Sequence, residues 1–96
     1  MERIDDLMTN ELKIIQSDDT FRFSMDAVLL AKFCTVPSRG HILDLCSGNG
    51  VIPLLLTTRT KCAITGVELQ EKLVNLARRS VLLNDLGAQI TILQED

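Results

Sequence analysis

The chain has 96 residues, 46% of them hydrophobic, with three Phe, no Tyr and no Trp, enough for one small domain with an aliphatic core. Ten basic against thirteen acidic residues give a net charge of −3, which argues against a self-sufficient nucleic-acid binder, whose affinity rests on neutralising phosphates. The start, MERIDDLMTNE, is charged where a signal peptide needs an apolar run, and the longest apolar runs, AVLLA and VIPLLL, are too short to span a membrane, so a cytoplasmic protein with no membrane partner is expected.

Residues 1–10 form a polar arm in which IDDLM suggests a short helix. ELKIIQ and TFRF alternate like short strands, and the turn-forming SDD between them predicts a hairpin. Ser24 is placed to cap a helix, with Asp26 in its first turn, where a carboxylate suits the positive end of the helix dipole. Met25, Val28, Leu29, Lys32 and Phe33 supply its spacing, and Pro37 requires an end before it.

From His41 onward the pattern is strand, helix, strand, helix, strand: HILDLC, VIPLLLTTR, CAITGVE, residues 70–84 and QITILQ. In the second helix Leu73, Leu76, Ala77 and Val81 make the buried stripe, while Glu71, Lys72, Arg78 and Arg79 point outward. Arg78 and Arg79, the one basic cluster, are read as part of that solvated face. Gly87 is the expected stop. Alternating strands and helices with short connections predict an α/β domain with a parallel sheet and right-handed crossovers.

The junction HILDLCSGNGVIP carries the chemistry. Gly48 and Gly50 let the backbone turn sharply and approach a ligand, and Asn49 tolerates a left-handed conformation. Pro53 lacks an N–H and so fits only a first helical turn, which starts the helix near Gly50 or Val51. The free N–H groups of that turn face whatever the loop holds.

Two ligand classes suit such a loop. A dinucleotide needs GxGxxG with an acid about 20 residues on; Gly48, Gly50 and Glu68 fit, but Pro53 occupies the third glycine position. Asp44, at the end of the first strand, would repel a pyrophosphate. It suits a ligand with a cationic end, such as the ammonium and sulfonium of S-adenosylmethionine, and Glu68 can accept hydrogen bonds from ribose hydroxyls. The plainer alternatives are that Asp44 braces the loop amides and that Glu68 ends a strand in solvent. Asp96, at the end of the third strand, falls on the same sheet edge, where the carboxyl ends of neighbouring strands converge on one crevice. An odd number of cysteines, no CxxC pair and a single histidine leave no metal site and predict reduced thiols.

DLCSGNG resembles motif I of the class I S-adenosylmethionine-dependent methyltransferases, with VELQ as motif II and ILQED as motif III. With FRFSMDAVLLA upstream, the chain is similar to the N-terminal part of the bacterial tRNA(Val) adenine-N6 methyltransferases, a small-domain type. The resemblance implies a Rossmann-like fold, present as its N-terminal half. Residues 1–40 would supply an arm, hairpin and helix packing on the cofactor domain, and residues 41–96 the first half of that domain. It implies S-adenosylmethionine as cofactor, with Asp44, Cys46, Gly48, Asn49 and Gly50 at its methionine end, Glu68 on the ribose, Leu69 on the adenine and Asp96 at the adenine amino group. Phe23, Ser24 and Asp26 would fall near the methionine side. Cys46 departs from the family, which often has the first loop glycine there.

The family's catalytic Asn/Asp-Pro-Pro-Tyr/Phe motif follows the fourth strand and does not occur in this sequence. It holds the target amino group and stacks on the flipped base. The expectation is therefore a fragment, catalytically silent alone and marginally stable, whose first strand is left as an open edge. The full-length enzyme would act on tRNA, with the missing C-terminal half of the fold as partner. The competing reading is a non-catalytic S-adenosylmethionine-binding or interaction module.

Overall fold

The computed structural model describes residues 1–7, 10–18, 25–45 and 47–95; of residues 25 and 26 it describes the backbone. Five strands and three helices follow the chain: β1 (Glu2–Asp6), β2 (Lys13–Ser17), α1 (Met25–Phe33), β3 (His41–Leu45), α2 (Val51–Leu56), β4 (Ala63–Glu68), α3 (Glu71–Leu83) and β5 (Ile90–Gln94). Strands β3, β4 and β5 form a parallel sheet in that order, Asp44 opposite Gly66 and Gly66 opposite Ile92. This is the predicted α/β arrangement, and among the described residues β3 is an edge strand, with β4 as its one neighbour.

Alternation along the strands sends Ile42, Ile64, Ile90 and Ile92 to the face beneath α2 and α3. Val51, Leu54 and Leu55 of α2 and Val74, Ala77 and Val81 of α3 meet them there, with Ile64 and Leu54 fully buried. Among the described residues the opposite face is bare. Leu43 and Leu45 are 60% and 67% exposed, and Leu93 is also exposed.

The N-terminal arm differs from expectation. ERIDD is a strand, not a short helix, and it pairs antiparallel with KIIQS, Ile4 opposite Ile15. The expected partner, TFRF, lies outside the described residues. The alternation Arg3, Asp5 against Glu2, Ile4, Asp6 has strand period, which the charges obscured. A salt bridge from Lys13 to Asp6 (2.8 Å) crosses the pair, and Arg3 bridges to Asp5 on its own strand (2.9 Å).

Among the described residues β2 is sealed by α3 rather than by a third strand. Ser80 Oγ accepts from the Ile15 N–H (2.8 Å), Asn84 Oδ1 accepts from the Lys13 N–H (2.8 Å), and Asn84 Nδ2 donates to the Lys13 carbonyl (2.6 Å). Ser80 and Asn84 are four apart on one helical face, so each meets the next outward-facing backbone group of the strand. Arg79 adds a bidentate pair to Glu2 (2.6 and 2.8 Å).

Two helix details also differ. α3 buries the predicted Leu73, Leu76, Ala77 and Val81, but it stops before Gly87. Asp85 takes the left-handed position (φ 56°), the Asp85 N–H donates to the Leu82 carbonyl and the Leu86 N–H to Val81 (3.1 and 3.0 Å). This is a Schellman stop built on an aspartate, one of the few side chains besides glycine that visit that region. In α1 the buried residue is Ala31, flanked by the partly buried Ala27 and Val28, while Leu29, Leu30 and Phe33 face outward. Among the described residues no helix is long and apolar enough to cross a membrane.

Candidate cofactor site

The loop between β3 and α2 is folded as its glycines require. Gly48 and Gly50 have φ of 57° and 91°, and Gly50 is the residue from which α2 begins. A Cβ on Gly50 would lie 3.2 Å from the Ala77 Cβ, so glycine is needed there for space as well as for conformation. Asn49 does not use its tolerance for positive φ. It is buried instead, and its Nδ2 donates to Gln16 Oε1 on β2 (3.4 Å), while Gln16 Nε2 donates to Asp5 (2.5 Å). The hairpin thus reaches the apex of the loop, a contact that no local pattern could announce.

Glu68 ends β4 buried, not in solvent. Its Oε1 accepts from the Gly48 N–H (3.0 Å) and its Oε2 from the Gln70 N–H (2.9 Å). The bracing of loop amides, considered for Asp44, is performed by Glu68. Each carboxylate oxygen keeps a further lone pair, so the brace leaves Glu68 able to accept from a ligand hydroxyl.

Asp44 stands partly buried opposite Gly66, and its Oδ2 is buried without a hydrogen-bond partner. Desolvation pushes its pKa up to about 6. Ser47, which sequence reasoning overlooked, is buried beside it in the loop, and its Oγ is likewise unpartnered. Such groups cost free energy unless something pairs with them. A cationic or hydrogen-donating group at this end of the sheet fits Asp44, and an anionic pyrophosphate does not.

Leu69 is exposed beyond β4, and the Glu95 N–H donates to the Glu68 carbonyl (3.1 Å), which carries the β4–β5 pairing to the end of the sheet. Asp44, Gly48, Asn49, Gly50, Glu68 and Leu69 therefore share one edge. Cys46, Phe23, Ser24 and Asp96 lie outside the described residues, as does the side chain of Asp26. Two clefts of about 430 and 510 Å³ sit elsewhere, around the far end of α2, lined by Thr58 and Arg59 in common. They are remote from the loop. Among the described residues no cluster of His, Cys, Asp or Glu could hold a metal ion.

The chain is 31% identical over 88 residues to the tRNA1(Val) (adenine(37)-N6)-methyltransferase of Haemophilus influenzae strain PittGG, an alignment covering 90% of this chain and 38% of that protein. The chain resembles the N-terminal part of these methyltransferases. The enzymes of the same name from Glaesserella parasuis serovar 5 and Erwinia tasmaniensis are 33% and 34% identical, over 78% and 74% of this chain and 32% and 30% of theirs. The chain thus spans about a third of the length of the curated relatives it matches. Among solved structures, P. horikoshii TYW2 in complex with MeSAdo superposes with a TM-score of 0.79 at 16% identity, covering 99% of this chain and 36% of that one. M. capricolum TrmK bound to S-adenosylhomocysteine gives 0.65 at 21% identity, over 77% and 32%. The fold is the Rossmann-like one of S-adenosylmethionine-dependent methyltransferases. No protein-family model matches the chain.

Proposed function

We propose that this chain is the cofactor-binding part of a cytoplasmic S-adenosylmethionine-dependent methyltransferase that modifies an adenine N6 in tRNA. The observation that carries the reading is the buried, unpartnered Asp44 Oδ2 at the sheet edge where Glu68 braces Gly48. A ligand with a cationic methionine end and ribose hydroxyls supplies what that edge lacks. Asp44 would face the ammonium, directly or through water, the N–H groups beyond Gly50 the carboxylate, Glu68 the ribose and Leu69 the adenine. Cys46, Asn49, Asp96, Phe23, Ser24 and Asp26 complete the proposed set.

S-adenosylmethionine supplies an electrophilic methyl group. The work of these residues is to hold and orient it with the sulfonium clear of competing water. The residues that would grip the target amine are absent from this sequence, so the chain alone is expected to bind cofactor without transferring methyl groups. The free edge of β3 and the exposed Leu43, Leu45 and Leu93 support a complementary half of the fold, wherever it is encoded, that adds a strand to β3 and covers the bare face.

Calorimetry with S-adenosylhomocysteine and with NAD tests the reading. Binding of the first and not the second is expected, and tight NAD binding would refute it. Glu68→Ala should weaken the interaction, since it removes both the ribose acceptor and the Gly48 brace; unchanged affinity excludes that role. Methyl transfer to unmodified tRNA by this chain alone should be undetectable, and turnover would overturn the division of labour.

A further inference from the structure

Gly66 sits in the middle of β4, where a glycine weakens a strand. Its φ is not positive, so backbone conformation does not require it. Space does. A Cβ there would lie 2.9 Å from Ser47 Oγ, 3.0 Å from Ser47 Cβ and 3.1 Å from Ile92 Cδ1. Ile92 could yield at the end of its flexible side chain. Ser47 could not.

Ser47 is held on three sides. Its N–H donates to the Val67 carbonyl (2.9 Å), its own carbonyl accepts from the Gly50 N–H (3.0 Å), and its side chain lies against Gly66. The next residue, Gly48, donates to Glu68. A shift at Ser47 therefore moves Gly48 away from its carboxylate and Gly50 away from the start of α2.

We propose that Gly66 and Ser47 together form the seat that sets the height of the glycine loop above the sheet, and are positioning residues for the methionine end of the cofactor. The inference rests on the cofactor reading above for its ligand, though not for the seat itself. Any side chain at position 66 lifts the loop. The edge of the sheet that meets ribose and adenine, further along toward β5, stays where it is.

The test is a double-substitution cycle in the full chain. Gly66→Ala is expected to weaken S-adenosylhomocysteine binding by about tenfold, in line with the cost of one forced methyl in a packed site. It should leave adenosine, which lacks the methionine end, bound as before. Ser47→Gly makes room for the new methyl, so the double variant should recover most of the lost affinity. A double variant no better than Gly66→Ala, or a parallel loss for both ligands, overturns the proposal.

Amide hydrogen exchange tests the seat without ligand. Gly66→Ala should accelerate exchange at Ser47 and Gly48 but not at Ile64, and Ser47→Gly should restore protection; unaltered exchange at 47 and 48 in the single variant overturns it. If the single variant does not fold, recovery of the folded state by the second change is the same test. An unsubstituted chain that binds no S-adenosylhomocysteine would refute the cofactor reading and leave the seat to be judged by exchange.

Discussion

The two faces of the β3–β5 sheet have the same kind of sequence and opposite fates. Ile42, Ile64, Ile90 and Ile92 lie under α2 and α3, while Leu43, Leu45 and Leu93, one residue along, look outward. Apolar alternation does not distinguish them, because both faces are apolar. The difference arises from direction. The strands are laid down in spatial order β3, β4, β5, and two crossovers of the same hand progressing the same way place both helices on one side. A parallel sheet is ordinarily covered on both faces, and the complementary half proposed above would supply the second cover with elements that progress the other way.

The comparison can be broken most directly at Ile64. Replacing this fully buried side chain with alanine should cost about 2–5 kcal/mol in urea unfolding. The same truncation at Leu45 should cost within about 0.5 kcal/mol, as at other exposed sites; equal costs would mean that the bare face is covered in solution. A middle-sized effect belongs to the rail that seals β2. Ser80→Ala leaves the buried Ile15 N–H without its acceptor, at about 1–3 kcal/mol. Retention of full stability would show that the hairpin does not depend on α3.

The pH profile sharpens the comparison at the covered face. The carboxyl of Asp44 has a folded pKa of about 6 against an ordinary 3.8. The folded state therefore holds a proton that the unfolded state has lost, and stability should decline as pH rises from about 4 to about 6. Asp44→Asn should flatten that slope. A cationic ligand beside Asp44 favours its ionised form, so S-adenosylhomocysteine affinity should rise across the same window. The smallest effect on folding belongs to Leu43→Ser with Leu45→Ser: little change in unfolding, but less self-association in sedimentation at high concentration, since an apolar face beside an open edge invites pairing.

Much of this was legible in the residues. The apolar runs HILDL, AITGVE and ITILQ and the stripe Leu73, Leu76, Ala77, Val81 placed the sheet and α3, and two glycines around Asn49 with Pro53 beyond them placed the loop. What escaped was non-local. Glu68 and Gly48 are far apart in sequence, so nothing in VELQ could say that its acid would brace DLCSGNG. Nothing in AITGVE says that Gly66 lies under Ser47. The first strand was hidden because salt bridges, rather than apolar alternation, accompany its pairing. The stop of α3 was misplaced because Asp85 takes a backbone role that Gly87 was expected to fill.

The clamp between Lys13 and Asn84 joins residues 71 apart, which sets an order of events. Ile15 and Lys13 have no partners for their outward backbone groups until α3 exists, and closing so long a loop is slow relative to local helix formation. On the ribosome the hairpin emerges before α3, and it must wait for that helix before it can settle. Pulse-labelled exchange should find the Ile15 amide protected after that of Ile64. The hairpin is thus synthesised before α3 and fixed after it, and until then the apex of the glycine loop lacks its contact with Gln16.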